Sequence, residues 1–314
     1  MLQIIQWNIQ RKNVRGAAAL CLILVLLFCG AGAVRSQPDA SDRSELVIGS
    51  GPYYSTDAMQ KGFAPLVEYL SGKLNRKVTF VVTETYGELA EKVESGAIDI
   101  GFFGAVLYVQ IKQKNPHLKY LVTSQSFLGG KKTSYCYSWL LSKKDSGIIK
   151  VKHLRGKSFA FTDSHSTSGY IYPLGYLKKR RLRPQDFFAQ VIFAGSHAKV
   201  TDMIAQEEVE SGVSSEVNLQ TAEEKYGRIF RRIRKVGPML NPSFAAGAQV
   251  DLTVCEQIIS ALENLPRRVL NNDFPYMGFQ RLSETNFAPV AELLKTLEGA
   301  AVSADGQAVN REAL

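Results

Sequence analysis

The sequence predicts an α/β fold built as two lobes, and three observations support this. From Glu45 onward, apolar strand-like runs alternate with amphipathic helix-like segments. The same alternation restarts near Lys157 after an interval of shorter apolar runs. The 314 residues are 45% hydrophobic, which is enough for a buried core in each lobe. Because strands that alternate with helices form parallel sheets covered by helices, we expect mostly parallel sheets flanked by helices.

The first lobe is predicted for residues 45–134 and begins with three strand–helix units. Apolar residues between Met59 and Leu74 recur at helical spacing, and Gly96 ends the helix that follows. The predicted strands are 45–50, 78–83 and 97–104, and the predicted helices are 56–74, 86–95 and 105–112.

The second lobe is predicted for residues 135–237, and residues 238–299 then return to the first lobe. The crossings, and with them the hinge, are expected near 134–137 and 236–241. Residues 300–314 form a small, polar tail that is expected to fray. The predicted strands are 157–162, 189–194, 209–215 and 228–236, and the predicted helices are 168–181, 199–207, 219–226, 251–262 and 286–297.

The amino-terminal residues 1–34 have the pattern of a targeting segment. Three basic residues precede an apolar run at 17–28, and the small residues Ala31-Gly32-Ala33 follow it. The apolar run is shorter than the about 20 residues of a comfortable membrane span. A cleaved signal peptide and a retained anchor both fit, with 35–44 as a linker. We therefore expect the protein in the periplasm or on the outer face of the cytoplasmic membrane, with membrane proximity through the N-terminus left open.

Charge and cysteine content narrow the classes of partner. The formal net charge is +9, and basic runs lie at 177–183 and 228–235. An exported protein meets little nucleic acid, so we predict no nucleic-acid partner. We interpret these runs as a solvated face, with a contact to anionic lipid or to a membrane partner as the alternative. Only Cys136 and Cys255 lie beyond the targeting segment. They form either one disulfide or two buried thiols.

The stretch FTDSHSTSGYIYP, residues 161–173, concentrates small polar side chains where a predicted strand meets a predicted helix. The amino end of a helix offers unpaired N–H groups and the positive end of the helix dipole, and together these bind phosphate-like anions. Ser166, Thr167 and Ser168 would add hydroxyl donors there, and Gly169 would let a ligand approach the backbone. The alternative is a serine cap on a surface helix, with hydroxyls that serve only the helix.

Other polar side chains occupy equivalent junctions. His197 follows the strand at 189–194, Tyr86 follows the strand at 78–83, and Tyr53 and Tyr54 follow the strand at 45–50. Open α/β sheets bind ligands at the carboxyl ends of their strands. We therefore expect these residues to meet at one ligand site.

Several sequence blocks, in this order, resemble the phosphate-, phosphite- and phosphonate-binding proteins of ABC importers. The blocks are TETYGELAEKVESGAIDIGFFG, LRGKSFAFTDSHSTSGYIYPLGYL, GSHAKV and GFQRLSETNFAPVAELL, and the resemblance covers residues 45–299. It implies a two-lobe periplasmic-binding-protein clamshell of type II that closes on a small oxyanion and delivers it to a membrane permease, without a cofactor.

The resemblance also implies roles for individual residues. Ser166, Thr167 and Ser168 would hold the phosphoryl oxygens, and His197 and Tyr86 would complete the cradle. Tyr53 would join them, although Tyr54 is equally placed by sequence. Glu210 stands where family members have an aspartate, and its carboxylate would pair with the amine of an aminophosphonate.

Enzyme classes find little support in the sequence. Residues 196–199 match S-x-x-K, but the partner motifs of penicillin-binding enzymes are poor, and no G-x-S-x-G motif is present. The segment at Arg155 lacks the first glycine of a P-loop, and the four histidines show no metal-ligand spacing. We predict a binding protein that is not an enzyme and holds no metal. A ligand-sensing module for a membrane signalling partner is the alternative, and the choice among oxyanions stays open.

Overall fold

A computed structural model describes residues 45–128, 130–270 and 274–297. The predictions for 1–34, 35–44 and 300–314 lie outside these residues. Within the described ranges, no helix combines the length and the apolar character that crossing a membrane requires. Cys136 and Cys255 are both free thiols.

Secondary structure alternates along the first part of the chain as the sequence predicts. The elements are β1 (Glu45–Ser50), α1 (Thr56–Leu74), β2 (Lys77–Val82), α2 (Tyr86–Glu94), β3 (Ile100–Phe103), α3 (Ala105–Lys114), β4 (Lys119–Leu128), β5 (Lys131–Thr133) and β6 (Tyr135–Lys143). The full length of β4 and the short β5 are additions to the predicted pattern.

The remaining elements follow in the same manner. They are β7 (Ser158–Phe161), a π-helical turn (Thr167–Ile171) continuing into α4 (Tyr172–Lys178), α5 (Pro184–Phe187), β8 (Gln190–Phe193), α6 (His197–Ala205), β9 (Ser211–Ser215), α7 (Glu216–Tyr226), β10 (Phe230–Leu240), β11 (Ser243–Ala246), α8 (Leu252–Glu263), β12 (Gly278–Gln280) and α9 (Ala288–Leu297). The predicted helix at 168–181 thus ends three residues early, and the predicted strand at 228–236 extends to Leu240.

The strands form two sheets with related topology. The first has the order β12-β4-β11-β3-β1-β2, with β5 paired to β4, and the second has the order β10-β6-β9-β7-β8. In the first sheet β1 is parallel to β2 and β3, and in the second β7 is parallel to β8 and β9. We refer to each sheet with its helices as the first and the second lobe.

The sheets are mixed, which differs from the expected mostly parallel arrangement. Strand β11 is antiparallel to β3 and β4, and β6 is antiparallel to β9 and β10. Parallel neighbours need a helical crossover between them. Strands β6 and β11 follow segments that pass from one sheet to the other without such a helix.

The chain passes between the sheets at two segments that lie side by side. Strands β6 and β10 remain paired up to Tyr135 and Leu240, and the Asn241 N–H donates to the Ser134 carbonyl at 2.9 Å. These are the segments in which the sequence places the hinge. The hinge motion and the predicted lobe boundaries stay predictions.

Aromatic packing anchors the helix that carries the serine-rich stretch. Tyr170 packs edge-on against Phe161 of β7 and Phe193 of β8, with ring centres 5.1 and 5.0 Å apart. Tyr170 and Ile171 are almost fully buried. The three polar residues before them are therefore held at the carboxyl edge of the second sheet.

Gly169 is required by packing within the second lobe. A Cβ atom at this position would lie 1.7 Å from Oγ1 of Thr162 and 2.6 Å from its Cβ, so rotation of the threonine side chain would not relieve the clash. The expectation that this glycine admits a ligand is corrected, since the neighbouring strand end occupies the space.

We expect Gly169→Ala to lower the free energy of unfolding by roughly 3 kcal/mol or more, because overpacking of this severity forces the backbone to move. Gly72→Ala is the matched control, since Gly72 lies in α1 and a Cβ atom there would have no neighbour within 4 Å. That substitution should raise stability by up to about 1 kcal/mol through helix propensity. Chemical denaturation measures both, and equal stabilities for the two variants would contradict the packing argument.

Candidate functional site

Five helix amino ends meet around one cavity between the two lobes. They belong to α2, α3, the helical segment that begins at Thr167, α6 and α7, which follow β2, β3, β7, β8 and β9. The positive ends of these helices favour a bound anion. The cavity has a volume of about 40 Å³, which is room for roughly three water molecules or one small oxyanion. It is lined by Tyr53, Tyr54, Tyr86, Gly104, Cys136, Ser166, Thr167, Ser168, His197, Ser215, Val217, Leu240, Asn241, Pro242 and Tyr276.

Thr167 caps a helix of the opposite lobe. Helix α3 begins after Gly104, which offers no side chain to cap it. The Thr167 Oγ1 atom accepts a hydrogen bond from the Val106 N–H at 2.9 Å and so fills this role from the second lobe. A Cβ atom at Gly104 would lie 3.0 Å from the same oxygen, so the glycine allows the close approach.

Ser166 and Ser168 also use their oxygens as acceptors. Ser166 Oγ accepts from the Gly169 N–H at 3.0 Å and caps its own helix, while Ser168 Oγ lies 3.0 Å from His197 Nε2. Among the described residues, these contacts are the hydrogen bonds within 3.5 Å of the three hydroxyls, and the Ser166 hydroxyl also lies near the Tyr86 phenol. Each hydroxyl is thus polarised by a donor and keeps its own proton for a ligand.

His197 is held as a neutral hydrogen-bond donor. Its Nδ1 atom accepts from the Ser215 N–H at 3.2 Å, so the ring proton resides on Nε2 and is directed at Ser168. The side chain is 4% exposed, and burial lowers the pKa of His197 to about 4. Asn218 Nδ2 donates to the His197 carbonyl at 3.0 Å and further fixes the start of α6.

Tyr53 and Tyr86 are two of the four tyrosines that line the cavity. The Tyr53 hydroxyl donates to the Phe102 carbonyl at 3.1 Å, and its ring packs edge-on against Tyr86 at 5.2 Å. The Tyr86 hydroxyl is buried near Ser166 and, among the described residues, has no hydrogen-bond partner within 3.5 Å. Burial raises the pKa of Tyr86 well above its ordinary value, so this phenol is a neutral donor.

Glu210 does not lie with the other predicted residues. It precedes β9, at the end opposite to Ser215, and its carboxylate contacts Lys157 Nζ at 2.6 Å and the Ser158 N–H at 3.0 Å. The Lys157 ammonium lowers the pKa of this carboxyl. The predicted role in binding a ligand amine is therefore corrected, because the length of strand β9 separates Glu210 from the cavity.

The structure adds residues that sequence reasoning missed. Ser215 ends β9 and caps the helix that begins at Glu216, so the rule that found His197 would also have found it. Asn241 and Tyr276 come from the return segment and from a loop before β12, where no strand–helix junction marks them. Cys136, Val217, Leu240 and Pro242 add uncharged surface, so no lysine, arginine, aspartate or glutamate of the described chain lines the cavity.

The basic runs lie on the outer surface of the second lobe. The Arg180 and Arg234 guanidinium groups stack on the Tyr176 ring, 3.9 and 5.3 Å from its centre. Arg180 is one of five basic residues between Lys178 and Arg183, and all five are exposed. Within the part of the chain that the structure describes, no cluster of side chains is arranged to hold a metal ion.

Known proteins show similarity in sequence and in fold. The phosphate-import protein PhnD of Mycolicibacterium smegmatis is 25% identical over 202 residues, which are 62% of this chain and 63% of that protein. The tetrathionate sensor histidine kinase TtrS of Salmonella typhimurium is 27% identical over 125 residues, which are 40% of this chain and 21% of that protein. The chain thus spans less than two thirds of each of these relatives.

A solved structure shares the two-lobe fold. PhnD1 from Prochlorococcus marinus, in complex with methylphosphonate, superposes with a TM-score of 0.73 at 16% identity and covers 81% of this chain and 98% of its own. The architecture is therefore the two-lobe fold of periplasmic binding proteins, as the sequence predicts. The profile of the family described as "ABC transporter, phosphonate, periplasmic substrate-binding protein" matches residues 48–287. The chain belongs to the phosphonate-binding family of periplasmic substrate-binding proteins of ABC transporters.

Proposed function

We propose that the protein captures a small phosphate-like oxyanion (a phosphonate, phosphite or phosphate) outside the cytoplasm and delivers it to the permease of an ABC importer. The observation that carries the proposal is the convergence of five helix amino ends and several neutral hydroxyl, phenol and imidazole donors on one small cavity. Family membership supports the class of ligand and the importer as partner. The proposal contains no catalytic step.

The proposed ligand set consists of Ser166, Thr167, Ser168, His197 and Tyr86. The three hydroxyls come from the second lobe, as does the His197 imidazole, whose Nε2–H donates to Ser168 Oγ and so acts on the ligand through that hydroxyl. The Tyr86 phenol comes from the first lobe. Hydrogen bonds to a charged group contribute roughly 1.5 to 3 kcal/mol each. Several of them, less the costs of desolvation and ordering, are consistent with roughly micromolar affinity.

Tyr53 has a supporting role in this proposal. Its hydroxyl already donates to the Phe102 carbonyl, so it is less available to a ligand than the Tyr86 hydroxyl. The edge of its ring packs on Tyr86 and orients that phenol. Tyr54 also lines the cavity, and Glu210 is left out of the set.

Closure of the lobes would strengthen ligand binding through Thr167. When its oxygen accepts from the Val106 N–H, its own O–H becomes a stronger donor to an anion. The ligand and α3 therefore favour the same closed arrangement, which a hinge at 134–137 and 236–241 would allow. Release to a permease then requires the Thr167–Val106 bond to open.

Ligand sensing for a membrane signalling partner is the second candidate function. The match to a sensor histidine kinase over 40% of this chain favours it. The two functions differ in one measurable respect. Cells that lack a transport receptor lose uptake of the ligand, whereas cells that lack a sensor keep uptake and lose a transcriptional response.

We expect Thr167→Ala and His197→Ala each to weaken binding of methylphosphonate, phosphite or phosphate by about tenfold or more, the loss of about one charge-assisted hydrogen bond. Isothermal titration calorimetry at pH 7 measures the affinities. Glu210→Gln is the matched control and should bind as the wild type does, because Glu210 lies outside the cavity. Unchanged affinity in both alanine variants would remove these residues from the site.

The burial of neutral His197 predicts a loss of stability in acid. An unfolded histidine takes up a proton near pH 6.5, whereas the folded one does so near pH 4. The unfolded state therefore binds more protons between these values, so stability is complete above pH 6.5 and falls as the pH drops toward 4. We expect this residue to account for a loss of roughly 2 to 3 kcal/mol at pH 4.5.

Chemical denaturation of the wild type and of His197→Gln at pH 7.5 and 4.5 measures this contribution. The variant should be less stable at pH 7.5 but should lose less stability on acidification. The same pH dependence in both proteins would show that His197 is not buried in its neutral form.

A further inference from the structure

Asn241 lines the cavity where the chain returns to the first lobe. Its Nδ2 atom donates to the Ser124 carbonyl at 3.1 Å, to Ser126 Oγ at 3.2 Å and to the Thr133 carbonyl at 3.2 Å. Two carbonyl acceptors identify this atom as the nitrogen of the amide. The side chain is 0% exposed, and among the described residues its Oδ1 atom has no hydrogen-bond partner.

A buried carbonyl oxygen without a donor costs free energy, so the neighbourhood of Oδ1 favours a ligand that supplies one. The other polar groups of the proposed ligand set are donors: the hydroxyls of Ser166, Thr167 and Ser168 and the phenol of Tyr86 face a ligand with their protons, and the His197 Nε2–H donates to Ser168 Oγ. The cavity is thus rich in donors, and the Asn241 amide oxygen is a side-chain acceptor with no partner among the described residues.

We propose that the site selects the monoanion of a tetrahedral phosphorus oxyanion, which still carries at least one P–OH group, and that this P–OH group donates to Asn241 Oδ1. This inference rests on the proposed function and narrows its ligand class. The monoanions of phosphonates and of phosphite carry one P–OH group, and the monoanion of phosphate carries two. Sulfonates and sulfate have the same tetrahedral shape but present only acceptor oxygens, so they would leave Oδ1 unpaired.

The charges around the cavity favour the same protonation state. No cationic side chain of the described residues lines it, and the Asp163 carboxylate lies near enough to contribute to the raised pKa values of Tyr53 and Tyr86. A second negative charge on the ligand would be buried without a cation and close to this carboxylate, which is unfavourable. The monoanion therefore binds better than the dianion.

The titratable groups that line the cavity stay neutral over the pH range in which such ligands lose the proton of the monoanion. Burial lowers the pKa of His197 to about 4 and raises the pKa of the Cys136 thiol to about 12. Burial also raises the pKa of each lining tyrosine, namely Tyr53, Tyr54, Tyr86 and Tyr276. A change of affinity with pH then reports the protonation of the ligand, except for any effect of His165, whose Nδ1 lies 3.2 Å from Asp163 Oδ1.

The test is calorimetric titration of the purified protein with methylphosphonate and with methanesulfonate between about pH 5.5 and 9. At pH 6 we expect methanesulfonate to bind about 10- to 100-fold more weakly than methylphosphonate, because methanesulfonate leaves one buried acceptor unpaired. The affinity for methylphosphonate should stay constant below the second pKa of the free ligand, measured by phosphorus NMR, and fall about tenfold per pH unit above it.

Two variants sharpen the result. His165→Asn should preserve the pH profile, which assigns the titration to the ligand. Asn241→Leu, of similar size, should bring the ratio of the two affinities toward one. If Asn241→Leu fails to fold, the comparison of the two ligands on the wild type still tests whether the site selects a protonated ligand, because that comparison needs no substitution.

Equal affinity for the two ligands, or an affinity for methylphosphonate that stays constant up to pH 9, would overturn the selection of a protonated ligand while leaving oxyanion capture intact. Failure of methylphosphonate, phosphite and phosphate alike to bind at pH 6 would overturn the proposed function and this inference together.

Discussion

The hydrogen bond from the Val106 N–H to Thr167 Oγ1 joins the two lobes at the site, and the arrangement around it depends on this contact. Helix α3 has no cap of its own because Gly104 precedes it, and the glycine is also what lets the threonine approach. The Thr167 hydroxyl thereby caps a helix of the first lobe, although it belongs to the cluster of hydrogen-bond donors in the second lobe. The contact therefore links the packing of the two lobes to the donor cluster proposed as the anion cradle.

The absence of charged side chains from the described lining of the cavity is the second constraint on the proposed site. The proposed anion site presents helix ends, hydroxyls, a phenol and an imidazole that burial keeps uncharged, and the many cations of the described chain lie elsewhere. Neutral dipoles make the position of each donor more important than the total charge. They also let a single acceptor, the Asn241 amide oxygen, decide which protonation state of a ligand is favoured.

The same asparagine connects binding to the crossing between lobes. Its Nδ2 atom ties the return segment to β4 and to the end of β5, and its backbone N–H pairs with Ser134. A ligand that engages Oδ1 therefore contacts the segment proposed as the hinge. Ser166, Thr167 and Ser168 lie at the start of a helix that Tyr170 anchors. The proposed ligand would therefore contact this anchored helix on one side and the crossing segment between β10 and β11 on the other.

Local patterns in the sequence were sufficient for the alternating elements, the two lobes and seven of the cavity-lining residues. Strand–helix junctions are encoded by neighbouring residues, and parallel strands bring their carboxyl ends to one edge. Glu210 was misplaced because alignment to a family pattern does not say which end of a strand a residue occupies. Three features could not be predicted from the sequence: the packing that requires Gly169, the cap that Thr167 provides to α3, and the unpaired oxygen of Asn241. Each depends on atoms from segments distant along the chain or on a close approach that no local pattern records. Residue order thus specified where donors would gather, whereas the packing of one lobe against the other decided which donors and acceptors remain for a ligand.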